Sequence, residues 1–230
     1  IINKTLKVRV SWNNDPENLT DKTSGTLTIK GKLHVTSPNT GVTWYASETR
    51  AVTWDKFGNW SHATYGNNKV NITYVFTGGG GGLVDDFADA GNVTHDWNIP
   101  VAAINNLVKI NITAIQDDMT LAASDESNTT FIISPFITVT KPDAPGPWYL
   151  GNSTYVNWTL YGTLAKVHVW YNNSTSWVHI TPDGGVNPNL INNSTLWTMN
   201  ASAVNETVTV RVANFTDDVN PGVPYDDGPV

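Results

Sequence analysis

Asparagine two residues ahead of a serine or threonine is the acceptor pattern for N-linked sugars. This 230-residue chain carries it at Asn3, Asn18, Asn59, Asn71, Asn92, Asn111, Asn128, Asn152, Asn157, Asn172, Asn173, Asn192, Asn193, Asn200, Asn205 and Asn214. These are 16 of its 27 asparagines, where its 43 serines and threonines would place about 5 by chance. A Thr-rich β protein makes some of these patterns as a by-product. The roughly threefold excess favours actual modification, and with it covalent N-glycans on an exported protein.

The second group with chemical potential is acidic. Asp117 and Asp118 recur in register as Asp217 and Asp218, and each pair is followed by another cluster, Asp125 and Glu126, then Asp226 and Asp227. Hard oxygen ligands of this kind suit Ca²⁺, with Asp117, Asp118, Asp125, Asp217 and Asp218 as the candidate ligands. The same residues suit solvated turns, which Asp favours on its own account, and their spacing matches no EF-hand loop. No other cofactor is expected. Catalytic constellations are absent: the chain has no His-Glu-x-x-His, no Gly-x-Ser-x-Gly and no P-loop, and its histidines fall at unrelated positions. The reading is therefore non-enzymatic, with no catalytic residue. The run Gly78 to Gly82 has no Lys after it and reads as a flexible hairpin tip.

Composition narrows the classes further. The chain has no cysteine, which removes disulfides, zinc fingers and thiol nucleophiles. A net charge of -7 with 13 Lys and Arg argues against nucleic acid and anionic membrane surfaces. No apolar run reaches the roughly 18 residues that would span a bilayer.

The elements that must position these groups are repeated. Residues 37 to 54 lie over 141 to 158 without a gap, matching Trp44 with Trp148, Tyr45 with Tyr149, Val52 with Val156 and Trp54 with Trp158. Residues 96 to 118 lie over 196 to 218 and match Trp97 with Trp197. A partial third copy stands at the amino end, where 6 to 15 resembles 108 to 117. The organisation expected is the carboxyl-terminal strands of a preceding repeat in 1–32, a complete module in 33–134, and a module in 135–230 lacking its last strand.

Within each module, short runs such as Val70, Ile72, Tyr74 and Phe76, or Val208, Val210 and Val212, alternate apolar with polar residues. Period two means half-buried strands, and no window keeps a helical period. Six or seven such strands per module predict an all-β fold of tandem immunoglobulin-like or fibronectin-III-like β-sandwiches. Parity puts Asn71, Asn111 and Asn157 on the solvent face, the first two on neighbouring strands of one sheet. Trp54 and Trp158 should fill the sandwich centres, with Trp97 and Trp197 packing from a facing strand. Trp60, Trp170 and Trp177 have no counterpart in the other module; Trp170 should face outward, as a candidate for stacking on sugars.

The stretch ITVTKPDAPGPWYLGNSTYVNWT (137 to 159) followed by KVHVWYNNSTSWVHI (166 to 180) resembles the immunoglobulin-like repeat of prokaryotic cell-surface glycoproteins, archaeal ones in particular. It is similar also to the Ser/Thr-rich cell-wall-protein repeat. The resemblance implies a surface location and no catalytic residues. Two functions then compete. One is a structural segment of an extracellular filament, surface layer or stalk, whose partners are copies of itself or adjacent repeats in a linear assembly. The other is an adhesin or carbohydrate-binding module, presented by the loops at 56 to 68 and 172 to 195.

Overall fold

A computed structural model describes residues 3–22, 24–143, 147–182, 185–187, 193–203, 208–215 and 225–227. The chain divides into two compact units, one of Ile1–Thr43, Thr49–Asn98 and Asn105–Ile132, the other of Trp44–Glu48, Ile99–Ile104 and Ile133–Val230. Residues 44–48 and 99–104 are tied together within the second unit by bonds from the Ser47 amide to the Ile99 carbonyl and from the Ile99 amide to the Glu48 carbonyl.

Four short strands open the chain: β1 (Asn3–Leu6), β2 (Arg9–Trp12), β3 (Asp15–Lys22) and β4 (Leu27–Ile29). β1 pairs antiparallel with β4, and β2 with β3. Next come β5 (Lys32–Ser37), β6 (Thr43–Tyr45), β7 (Thr49–Phe57), β8 (Ser61–His62), β9 (Gly66–Asn67) and β10 (Lys69–Phe76). They are followed by β11 (Gly81–Asp89), β12 (Thr94–Asn98), β13 (Asn105–Ile115), β14 (Ser124–Glu126) and β15 (Phe131–Ser134). One sheet has the order β12-β7-β5; the other runs β11-β10-β13-β15-β6, with β14 also on β13.

The second half repeats this plan with β16 (Phe136–Lys141), β17 (Ser153–Tyr161), β18 (Val167–Asn172), β19 (Trp177–His179), β20 (Ser194–Thr198), β21 (Thr209–Asn214) and β22 (Tyr225–Asp227). Its sheets are β16-β17-β20 and β19-β18-β21-β22. The pairing register agrees with the sequence repeat residue by residue. Thr53 opposite Thr94 and Ala51 opposite Asp96 become Asn157 opposite Ser194 and Tyr155 opposite Leu196. Tyr74 opposite Ile110 becomes Tyr171 opposite Val210. Both copies also hold a cis peptide bond at the matching positions, Ser37–Pro38 and Lys141–Pro142.

Alternation along these strands closes each sandwich. In the second unit one apolar cluster takes Ile137, Val139, Val156, Trp158 and Trp197 from the first sheet and Val167, Val169, Tyr171, Val210 and Val212 from the second. Tyr171 stacks on Trp197 with ring centroids 5.2 Å apart, and Tyr74 on Trp97 at 5.4 Å in the first unit. The fold is all-β, built as tandem immunoglobulin-like and fibronectin-III-like sandwiches.

Three expectations change. Trp97 and Trp197 do not come from a facing strand: β12 and β20 lie in the same sheets as Trp54 and Trp158, and reach across to Tyr74 and Tyr171. Trp170 does not face water; it is 1 % exposed. Every residue from Val167 to Tyr171 is buried, on both faces of β18, and β19 pairs beside it with His179 opposite Trp170. His179 lies 3.7 Å from the Trp170 ring and 4.7 Å from His168, and Phe215 closes on His168 at 4.8 Å. Finally, the glycine run is a specified turn. Gly79, Gly80 and Gly81 have φ of 96°, 93° and 142°, and a Cβ on Gly81 would sit 2.1 Å from the Tyr74 carbonyl oxygen. Only glycine adopts that backbone without strain.

Candidate functional site

On the described strands Asn71, Asn111 and Asn157 fall between inward apolar residues and so stand on outer faces, whereas Asn214, at the end of β21, stands opposite the core residue Val167. Of the acceptors with described surroundings, Asn59, Asn92, Asn128, Asn152 and Asn200 are exposed, and Asn71, Asn111, Asn157, Asn172, Asn173, Asn193 and Asn214 are half-buried. Asn192 and Asn205 lie outside the described residues, and Asn3 and Asn18 sit on β1 and β3.

Two acceptors interlock. On the outer face of the β10–β13 pair, Asn71 stands opposite Thr113 and Thr73 opposite Asn111, so each asparagine faces the other motif's threonine. The Thr113 hydroxyl donates to its own Asn111 Oδ1 at 3.0 Å, whereas Asn71 Oδ1 is buried without a hydrogen-bond partner. A tight turn after β18 holds another: Asn173 Oδ1 accepts from the Thr175 hydroxyl at 2.8 Å and from the Ser176 amide at 2.9 Å. Such local bonds are the ordinary use of Asn in turns. On β17, Asn157 Oδ1 accepts from the Ser194 hydroxyl at 2.7 Å, which orients the carboxamide and leaves Nδ2, the atom a sugar attaches to, out of that bond.

The acidic residues have protein partners. Asp125 Oδ2 accepts from the Val35 amide at 2.7 Å and lies 3.3 Å from His34 Nδ1. In the second unit Asp226 Oδ2 accepts from the Val139 amide, also at 2.7 Å. Both amides sit where the first strand of the module shifts register against the next, so the carboxylate satisfies a donor that the ladder leaves unpaired. The neighbouring acids form cross-strand ion pairs, Glu126 with Lys109 at 2.8 Å and Asp227 with the Arg211 guanidinium at 2.7 Å. Arg211 also lies 4.2 Å over the Trp177 ring. Asp117 Oδ1 accepts from the Ala63 amide at 3.0 Å, and Asp118 Oδ1 caps a 3₁₀ turn through the Thr120 amide and hydroxyl. Asp217 and Asp218 lie outside the described residues. Among the described residues no group of three or more His, Asp or Glu is placed to hold a metal ion.

The tryptophans are mostly interior. Trp54, Trp97, Trp158 and Trp197 are 2, 3, 3 and 5 % exposed. Trp60 is buried as well; its indole donates to the Lys69 carbonyl at 2.8 Å and pins the loop that follows β7. That loop carries a shallow pocket of about 360 Å³ lined by Asn59, Trp60, Ser61, Asn67 and Asn68. Nearby, Tyr65 stacks on Phe87 at 4.2 Å and meets His62 in a tilted contact at 4.5 Å, a small aromatic group that residue types alone do not announce. A second exposed apolar feature, Tyr155 opposite Leu196, was readable from parity, since Tyr155 is two residues from Asn157 and shares its face. Among the described residues no helix is long and apolar enough to cross a membrane.

No protein-family model and no curated protein matches the sequence. Among solved structures, the chain is similar to fibronectin(III)-like modules of Clostridium thermocellum CbhA, at 14 % identity and a TM-score of 0.29, covering 85 % of this chain and 91 % of that one. It is similar also to titin domains I67–I69, at 10 % identity and a TM-score of 0.35, over 91 % and 68 % of the two chains. The human OSCAR ligand-binding domain aligns at 9 % identity and a TM-score of 0.26, over 87 % and 95 %.

Proposed function

We propose that this chain is a non-catalytic structural segment of an extracellular, N-glycosylated assembly built from tandem immunoglobulin-like modules, as in a filament, surface layer or stalk. The observation that carries the reading is the placement of the acceptor asparagines. Sixteen occur in the sequence, and none of those with described surroundings is buried. Attachment joins a sugar C1 to Asn Nδ2, with loss of an Nδ2 proton and departure of the phosphate that activated the glycosyl donor. A polar coat on outward sheet faces discourages edge-to-edge association of exposed strands. The partners proposed are adjacent repeats or further copies in a linear array, at the surface of a prokaryotic, and by resemblance archaeal, cell.

A second reading, a saccharide-binding module, draws support from the aromatic group of His62, Tyr65 and Phe87 near the polar pocket at Asn59, Asn67 and Asn68. Glycopeptide mass spectrometry of protein from its native surface, together with electron microscopy of that surface, tests the first reading. Occupied acceptors on linear or lattice assemblies are expected; unmodified asparagines throughout would overturn it. A glycan array probed with the same protein tests the second, which saturable binding lost on Tyr65→Ala would establish in its place.

A further inference from the structure

The outward face of the β17–β20 pair carries a ladder of three rungs: Ser153 opposite Thr198, Tyr155 opposite Leu196, and Asn157 opposite Ser194. The middle rung is apolar and stands in water, with Tyr155 57 % and Leu196 54 % exposed. Exposed apolar residues scattered singly need no explanation, and what marks this pair is its neighbour on the same face. Here the next rung is the acceptor asparagine. Side chains two residues apart on a strand lie about 7 Å apart on the same face, the span of one pyranose ring.

The other module supplies a comparison inside the molecule. Its matching rungs, in the same register, are Ala51 opposite Asp96 and Thr53 opposite Thr94. The acceptor asparagine and the apolar rung are therefore both present in one repeat and both absent from the other. A core function would have kept the rung in both copies. An interface made by every repeat would not track the acceptor.

From this juxtaposition we infer that the Tyr155·Leu196 rung is the seat of the first sugars attached to Asn157. The sugar's axial C–H face lies over the Tyr155 ring and the Leu196 methyl groups, and its hydroxyl edge faces water. The Ser194 hydroxyl holds Asn157 Oδ1 at 2.7 Å and so orients the carboxamide from which the sugar leaves the sheet. Ser153 and Thr198, joined by their hydroxyls at 2.7 Å, form a polar rung beyond it. The sugar thus both shields an apolar pair and stiffens the sheet beneath it. This inference rests on the proposed glycosylation, and it names what one of those sugars does.

The test is a four-protein cycle in the native glycosylating host, using the full chain: wild type, Thr159→Ala, Tyr155→Ser, and the two together. Thr159→Ala removes the acceptor motif and keeps the Asn157–Ser194 bond. Glycopeptide mass spectrometry first reads occupancy at Asn157, and calorimetry then reads the unfolding midpoint of the second unit. Loss of the sugar is expected to lower that midpoint by about 4 °C when Tyr155 is present and by under about 1 °C in the Tyr155→Ser background. In the occupied wild type, nuclear Overhauser contacts are expected between Tyr155 ring protons and the first sugar. Equal losses in both backgrounds, with Asn157 occupied and no such contacts, would overturn the seat while leaving the glycosylation intact. An unmodified Asn157 beside occupied acceptors elsewhere would overturn the seat alone, and unmodified asparagines throughout would overturn both. Sedimentation showing a dimer of the glycosylated wild type that Tyr155→Ser dissolves would assign the rung to a second copy instead.

Discussion

The Val35 amide is buried at a point where β5 changes register against β7, and its acceptor is a carboxylate from β14 in the opposite sheet. Asp125→Ala leaves that donor without a partner inside the sandwich. A hydrogen bond to a charged acceptor contributes about 1.5–3 kcal/mol, and an orphaned buried amide costs about 1–3 kcal/mol. The Asp125 side chain is 29 % exposed, so water relieves part of the loss and the lower half of that range applies, about 2 kcal/mol. For a domain of this size that is a fall in midpoint of about 10 °C. The more direct assay is amide hydrogen exchange, because the repeat supplies its own control. Protection at Val35 should fall about 30-fold in Asp125→Ala while Val139, held by Asp226, stays as it was. Asp226→Ala should do the reverse. Asp125→Asn keeps an acceptor oxygen and should cost about half as much. His34 is a secondary partner, since the second module makes the same bond with Thr138 at the matching position. Exchange at Val35 within about twofold of wild type in Asp125→Ala would refute the reasoning, as would an equal effect on Val139.

Three further outcomes are expected. Trp170→Ala should destabilise the second unit by about 3–5 kcal/mol in urea unfolding, because the side chain is 1 % exposed; an outward-facing indole would cost under about 0.5 kcal/mol. Gly81→Ala should cost about 1–3 kcal/mol, since its φ of 142° and the Tyr74 carbonyl leave no room for a Cβ, while Gly78→Ala, where a Cβ meets nothing within 4 Å, should be near neutral by the same measurement. Calcium should neither release heat in a calorimetric titration nor raise either midpoint, because Asp117, Asp118 and Asp125 are engaged by backbone donors; a rise of about 2 °C or more at millimolar Ca²⁺ would restore the metal reading.

Much of the fold was legible because strand signals are local. Val70, Ile72 and Tyr74 alternate along their strand, and that period survives whatever the strand later packs against. The acceptor positions were legible on the same ground, since Asn71, Asn111 and Asn157 fall between inward residues. The acidic clusters were legible as repeated and opaque as to purpose. The partners of Asp125 and Asp226 are backbone amides about ninety residues away in sequence, a distance over which no pattern of residue types carries information.

By itself, then, the sequence determined an all-β chain of repeated modules and the outward parity of Asn71, Asn111 and Asn157, because alternation and repetition are properties of the chain taken a few residues at a time. Tertiary structure decided the rest. It buried Trp170 on a strand whose alternation had promised an open face, with the His179 ring from the neighbouring β19 against it. It set Asp125 and Asp226 against backbone amides of the opposite sheet, and it set Leu196 opposite Tyr155, one rung from Asn157. Each outcome depends on which distant segment covers or faces a given side chain, and that follows from how the sheets stack and the loops close rather than from any local preference.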